Sequence, residues 1–442
     1  MSKLLLTFYG DDFTGSTDAL EQLTLAGIRT ALFIASPTTA QLKNFTGLQA
    51  VGVAGKTRSL APAAMERELK PALRALKKLG ARHVHYKVCS TFDSSPTIGS
   101  IGCAMDLAAK IFPSKFIPLL VATPALGRFT IFGNHFARYG IGSTGAIHRL
   151  DRHPSISQHP ITPMTEADLR KHLARQTKKK IALFDILKLS LPEQECRAAF
   201  QKILVEKPDV ILFDALTNEH LARVGELLEK VASKKQPFFS VGSSGIEAAL
   251  AAHWNKKRRV RMFVPPVKQI LVGSGSCSPV TSGQIAWALK NGFAEVALDA
   301  GALASQKKSG AEILRAASAA KKFLLAGRSV IVHTTRSGSD RKIAAKLKSD
   351  TAKILGTTLG KVLRGALAES AVRRVCIAGG DTSSYAALAL GIEALEMIAP
   401  LAPGAPLCRA SAPNSPANQL EIVFKGGQVG AENYFETVLK GK

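Results

Sequence analysis

Residues 3–27 read KLLLTFYGDDFTGSTDALEQLTLAG, and this stretch sets the fold. Lys3–Tyr9 is an apolar run with no polar alternation, as expected of a strand buried on both faces in a parallel sheet. It ends in Gly10-Asp11-Asp12, and a helical pattern follows over Asp18–Ala26, closed by Gly27. A strand that feeds a helix through a short polar tip is the repeating unit of parallel α/β folds. The same rhythm recurs along the chain.

Working outward, strands are expected at Thr30–Ile34, Gln49–Ala54, His83–Val88, Ile181–Leu187, Val210–Phe213 and Pro237–Val241. Helical patterns fall at Pro62–Leu79, Pro192–Val205, Glu219–Ala232 and Ile246–Trp254. The rhythm breaks at Asn255–Pro266, NKKRRVRMFVPP, where basic residues and a Pro-Pro pair suit an inter-domain connection. It restarts with strands at Gln269–Gly273, Ala294–Leu298, Ser329–Thr334 and Arg374–Ala378. Helices are expected at Val280–Lys290, Ala311–Leu325, Asp340–Glu369 and Ser384–Leu395, and the tail ends in strands near Leu407–Ala410 and Leu420–Phe424. The expectation is two α/β domains, residues 1–254 and 267–442 with 255–266 as linker, each a largely parallel sheet flanked by helices.

Composition bounds the function. The chain has 442 residues, enough for two or three domains, with 46% hydrophobic and 21% charged residues, so it is neither disordered nor fibrous. No apolar run reaches the ~18 residues of a membrane span. The first strand runs into aspartates and does not read as a secretion signal, so a cytoplasmic location is expected. The six cysteines form no CxxC pair, which argues against a disulfide framework or a cysteine zinc site. A formal charge of +26 favours anionic partners, but only 6% aromatics and no basic–aromatic interleaving leave nucleic acid disfavoured.

In parallel sheets, ligands sit at the carboxyl ends of strands. Three such loops in the first half carry chemistry. Asp11 and Asp12 lie at the first strand tip with Thr14, Gly15 and Ser16, where they can bind hydroxyls, Mg²⁺ or act as a base; the bland alternative is a helix cap beside a solvated acid. Thr57-Arg58-Ser59 offers a guanidinium fork for an anion, or an ordinary surface arginine. Lys87-Val88-Cys89-Ser90-Thr91-Phe92-Asp93 supplies a cation and hydroxyls, and Cys89 has no His–Asp arrangement to make it a nucleophile. The histidines at 135, 148, 153 and 159 match no compact zinc motif and read as a polar loop over a substrate pocket, with the odd capping histidine.

The second half has Gly-rich turns at Gly273-Ser274-Gly275-Ser276-Cys277-Ser278, at Gly379-Gly380-Asp381-Thr382-Ser383-Ser384 and at Lys425-Gly426-Gly427-Gln428-Val429-Gly430. None is a Walker loop or a full GxGxxG. Each alone reads equally as a capped helix or a turn, but three in one domain favour a nucleotide phosphate site.

Taken in order, GDDFTGSTD, TRS, KVCSTFDSS, TPMTEADL (162–169), GSGSCSPVT, AGGDTSS and KGGQVG resemble the four-carbon acid sugar kinases, which act on threonate, erythronate and 3-oxo-tetronate. The Cys-Ser-Thr-Phe-Asp loop is nearest the 3-oxo-tetronate branch. The resemblance implies a sugar-acid-binding N-terminal domain, an ATP-binding C-terminal domain, an active site in the cleft between them, and ATP with Mg²⁺. Carried over, substrate contacts are Asp11, Arg58, Lys87, Val88, Cys89 and Ser90, with Asp12 or else Asp11 as base and Arg58 and Lys87 holding the substrate carboxylate. ATP contacts are Ser276, Gly379, Gly380, Asp381, Thr382 and Gly427. Implied partners are the sugar acid and ATP, with a homodimer allowed and no membrane. The rival class is a non-kinase α/β protein that binds phosphate ligands or nucleic acid through its basic surface; it leaves the DDFTG and GGDTS loops without a task.

Overall fold

β1 (Leu6–Gly10) is buried along its whole length, so its neighbours must cover both its edges and both its faces. The computed structural model describes residues 4–140, 144–159, 161–233, 235–254, 263–276, 278–303, 306–334 and 351–441. They fall into two compact units: Met1–Ala31 with Ser36–Arg259, and Leu32–Ala35 with Val260–Lys442. Most of the 255–266 connection lies outside the described residues.

In the first unit β1 is flanked by β3 (Ala50–Ala54) and β4 (His83–Lys87), both parallel to it. The parallel sheet continues through β11 (Phe238–Gly242), β5 (Ile117–Leu120), β10 (Val210–Phe213) and β9 (Ile181–Phe184). Register places Gly10 opposite both Ala54 and Lys87, and Gly242 opposite both Lys87 and Leu120. The residues just beyond these strands therefore share one edge. Packing within the sheet is tight: a Cβ on Gly52 would lie 2.1 Å from the Phe8 ring. The helix Pro62–Lys78 starts with proline in its first turn, where the missing N–H costs nothing, and buries Met65, Leu69, Leu73 and Leu76 on one face.

Two expectations in this unit are corrected. The strand expected over Ile181–Leu187 stops at Phe184, because Asp185 caps a short helix, Ile186–Ser190. The histidine-bearing stretch is a polar loop only in part: β6 (Arg128–Ile131), β7 (Asn134–Arg138) and β8 (Ile147–Arg149) form a small antiparallel sheet that holds His135 and His148, while His153 and His159 lie beyond it and accept backbone N–H groups of the turns that follow them. The first turn of the sheet is the two-residue Phe132-Gly133, both at positive φ (49° and 78°), a geometry that suits the twist of a hairpin. Buried Asp214, just after β10, pins that turn by accepting the N–H groups of Phe132 and Gly133.

The second unit is a parallel sheet in the order β13 (Ala294–Ala297), β14 (Val330–His333), β12 (Ile270–Ser274), β15 (Arg374–Ala378) and β18 (Glu421–Lys425). Two antiparallel strands, β17 (Ala405–Ser411) and β16 (Ala394–Ala402), extend it. The helix expected over Ser384–Leu395 instead spans Asp381–Ala389. Gly391, at φ +75°, ends it, and the Leu395 end of the expected helix is strand. The helix expected from Asp340 begins outside the described residues and is seen as Thr351–Leu367. No described helix is long and apolar enough to cross a membrane.

Candidate functional site

The carboxyl edge of the first sheet gathers the predicted charged residues. Asp11 follows β1 and donates its N–H to the Lys87 carbonyl at 2.8 Å. Asp12 is the N-cap of the helix Phe13–Leu25, accepting the Gly15 N–H at 2.9 Å and the Thr14 hydroxyl at 2.8 Å. Arg58 follows β3, and its backbone N–H is tied to the Asp11 carbonyl at 3.0 Å. Its Nη2 lies 2.8 Å from both Asp11 Oδ1 and Asp12 Oδ1. Lys87, only 2% exposed, ends β4 and reaches Asp18 on the same helix at 3.4 Å. Gly15 is required here, since a Cβ would meet Asp12 Oδ1 at 2.3 Å and Lys87 Nζ at 2.7 Å.

The electrostatics separate the two neighbouring aspartates. Burial pushes Asp11 up, against the pull of Arg58 and with help from Asp12, to about 6. Burial also acts on Asp12, but Arg58, Lys87 and the hydrogen bonds from Thr14 and Gly15 outweigh it and hold Asp12 below the usual carboxylate range. Burial raises Asp18, Lys87 opposing. Burial alone would discharge Arg58 and Lys87 more easily, yet the adjacent aspartates keep both firmly protonated.

The rest of the lysine loop is less open than expected. Val88 is buried and its N–H donates to the Gly242 carbonyl at 2.7 Å. The Ser90 carbonyl accepts from His135 Nε2 at 2.9 Å. Burial pushes the Cys89 thiol up to about 11, aided by Asp93, so it stays protonated and is no nucleophile at neutral pH. Sequence reasoning gave no role to Asp18, Ser243, Ser244, Thr123 or Arg128, which join the same edge. The β11–β4 register supplied the serines, and nothing local in the sequence signals it. Asp18 had a usable signal, an acid one turn into a helix whose other buried side chains include Phe13, Leu20 and Leu23. Its carboxylate faces the Ser244 hydroxyl, whose contact joins Lys87 in opposing the burial that raises Asp18.

In the second unit, the loops after β12, β15 and β18 converge. A Cβ on Gly275 would lie 2.6 Å from the Thr382 hydroxyl, one on Gly379 2.3 Å from it, and one on Gly427 2.9 Å from the Ser276 hydroxyl. Gly379 sits at φ +144°, and Gly380 faces open space. The helix Asp381–Ala389 has Gly380 as its N-cap and no side-chain cap, so its first N–H groups are left for a ligand. The Thr382 hydroxyl is buried and unpartnered. The side chain of Asp381 lies outside the described residues. Beneath these loops is Lys425, fully buried, donating to the Thr281 hydroxyl at 3.1 Å and lying 5.6 Å from the centre of the Tyr434 ring. No carboxylate pairs with it among the described residues, and burial lowers it to about 8. Sequence reading quoted Lys425 without assigning it a task.

No described group of three His, Cys, Asp or Glu side chains could hold a metal ion by itself. A cleft of about 640 Å³ lined by Phe116, Lys230 and Phe238 lies at the amino ends of β5 and β11, away from these loops.

Comparison with known proteins agrees with this division. A family described as a sugar-binding N-terminal domain matches residues 6–250, and one described as a nucleotide-binding C-terminal domain matches residues 271–435. A 3-oxo-isoapionate kinase of Paraburkholderia graminis is 42% identical over 458 residues, covering 99% of this chain and 95% of the relative. A 3-oxo-tetronate kinase of Cupriavidus necator is 30% identical over 448 residues, covering 99% and 96%. A solved structure from Salmonella typhimurium LT2, provisionally described as a tRNA synthase, superposes with a TM-score of 0.78 at 26% identity and covers 98% of each chain.

Proposed function

Because the chain belongs to the four-carbon acid sugar kinases, with their sugar-binding N-terminal and nucleotide-binding C-terminal domains, we propose that it transfers the γ-phosphoryl group of ATP to a hydroxyl of a small 3-oxo acid sugar. The observation that carries the reading is the convergence of three strand-end loops on Ser276 and Thr382 around an uncapped helix N-terminus. Such a set suits a triphosphate: backbone N–H groups take phosphate oxygens, and Lys425 supplies a charge beneath them. Ser276, Gly379, Gly380, Asp381, Thr382 and Gly427 are its proposed contacts.

Mg²⁺ enters with the nucleotide in this reading and needs no more than one or two protein oxygens, since phosphates and water complete its shell. The buried, unpartnered Thr382 hydroxyl fits such a contact. When bound, the ion neutralises charge on the triphosphate. Transfer is then mostly positioning and charge neutralisation.

At the first edge, Asp11, Asp12, Arg58 and the Lys87–Ser90 segment address the acceptor. Asp11 suits proton acceptance better than Asp12, because an acid near 6 is closer to working pH and Asp12 is committed to its helix cap. We rank 3-oxo-isoapionate first among acceptors, after the name of the relative at 42% identity, and 3-oxo-tetronate second. The test is ADP release from Mg-ATP with both acids and with threonate and erythronate. Turnover with none of them, while ATP still raises the melting temperature, would reject the acceptor class and leave the nucleotide site.

A further inference from the structure

The charges at the first edge leave the acid end of the proposed acceptor without an obvious partner. Arg58 is engaged by Asp11 and Asp12, and Lys87 by Asp18, so two cations already meet three carboxylates. A further carboxylate brought to that cluster would be repelled. Among the described residues, one other buried cation belongs to this edge, and it is not engaged in this way.

Arg128 opens β6 and is 5% exposed. Its backbone pairs with Thr123, just past β5, whose hydroxyl lies 2.5 Å from Ser243 Oγ. Along the hairpin, Arg128 and Thr130 point to one face, opposite Ala137 and His135 in register. That face lies on the lysine loop. His135 Nε2 donates to the Ser90 carbonyl, and the Thr130 hydroxyl meets His135 Nδ1 at 2.8 Å.

The guanidinium is held by carbonyls alone. Nη1 donates to Leu126, Gly127 and Arg138 at 3.1, 3.3 and 3.0 Å. Nε is buried with no partner, and no carboxylate pairs with Arg128 among the described residues. A buried charge without a counter-ion is expensive, and binding an anion removes the cost. Burial lowers the pKa of Arg128, while Cys89, Asp93 and Asp18 pull the other way, which accords with a position beside the lysine loop.

The geometry points to Arg128 as the residue that takes the carboxylate of the acceptor, with Arg58 and Lys87 serving to hold the aspartates that face its hydroxyl groups. This rests on the acid-sugar kinase reading. The consequence is selectivity: Arg128 makes the site choose acids over neutral polyols of the same shape.

The test is calorimetric binding by the full-length protein of threonate or erythronate and of the corresponding primary amide, with a non-hydrolysable ATP analogue as the check on folding. The wild-type protein should prefer acid to amide by about 100-fold, the worth of a charge-assisted hydrogen-bonded pair. Arg128→Gln should abolish that preference, weakening acid binding about 100-fold and amide binding less than threefold. Arg128→Lys, which keeps the charge but loses the fork, should weaken the acid about tenfold and leave the amide alone. ATP-analogue binding should be unchanged in both. If acid and amide weaken by the same factor, Arg128 is only a pin for the hairpin and the proposal falls. If Arg128→Gln does not fold, an unchanged acid-to-amide ratio in Arg128→Lys overturns it. A wild-type protein that binds the ATP analogue but neither acid nor amide overturns this assignment, while the 3-oxo acceptor class stands or falls on the turnover assay.

Discussion

Arg58 grips Asp11 with two nitrogens, Nη2 at 2.8 Å and Nε at 3.3 Å. The same Nη2 is shared with Asp12. The fork that the sequence offered to a substrate is closed on the protein's own carboxylates. Its first task is therefore to make two adjacent buried acids tolerable at the end of β1, where each alone would be driven to protonate.

Removing Arg58 should be costly for that reason. Arg58→Ala leaves two buried carboxylates with Lys87, already paired with Asp18, as the remaining cation, and an unpaired buried charge costs about 3–5 kcal/mol. Chemical denaturation should show the loss to be larger at pH 8 than at pH 5, where protonation relieves the acids. An Arg58→Ala protein of unchanged stability at pH 8 would mean that the pair contributes little.

Asp11 gives a signed pH dependence. Its folded pKa, about 6, lies above its ordinary 3.8, so between these values the folded state holds a proton that the unfolded state has lost. Its stabilising contribution is complete below 3.8 and is lost as pH rises through about 6. Asp11→Asn cannot ionise and escapes this loss. Its stability relative to wild type should rise by about 2 kcal/mol between pH 4 and pH 7. Denaturation curves at four pH values would check it; a constant difference would place the Asp11 pKa near the ordinary value.

Asp11 and Asp12 should also separate kinetically. With Asp11 as proton acceptor, Asp11→Asn lowers kcat by about 10²–10⁴ with little change in KM. Asp12→Asn keeps an oxygen for the Gly15 N–H and should lose less. The opposite ranking in steady-state assays would return the base to Asp12.

Thr382→Val replaces a buried, unpartnered hydroxyl with a methyl of the same shape. The unliganded protein should gain about 1 kcal/mol, because an unsatisfied polar group is removed. ATP binding should weaken about tenfold if the hydroxyl meets the phosphates or their ion. Thermal melts with and without nucleotide read both effects, and a gain in stability with unchanged ATP affinity would remove Thr382 from the site.

Lys425 carries its charge below about pH 8. ATP affinity should fall as pH rises through that value and be weaker and flat from pH 7 to 9 in Lys425→Met. Without ligand the sign reverses. The folded pKa lies below the ordinary 10.5, so the unfolded state holds the extra proton between them and stability rises with pH there. Equal pH profiles for the two proteins would show that Lys425 does not meet the nucleotide.

Much of this molecule was written locally. The unbroken apolar run before Gly10-Asp11-Asp12 dictated a buried parallel strand, and glycines at 275, 379 and 427 marked where backbones approach closely, because no Cβ fits. The strand–helix rhythm gave two α/β units and the strand-tip loops that hold the candidate residues. The hairpin over Arg128–Arg138 was also legible, through its alternation and the Phe132-Gly133 turn between its strands.

What the sequence determined was which residue types stand at strand ends, since a strand followed by a helix needs only short-range pattern. What only the tertiary structure decided was their state of engagement. Arg58 and Asp11 are 47 positions apart and Lys87 and Asp18 are 69 apart, and strand order alone brings them together. Whether a cation is spent on a neighbour or left for a ligand depends on that order and on burial. Both come from pairing across the sheet, which no single stretch of sequence encodes.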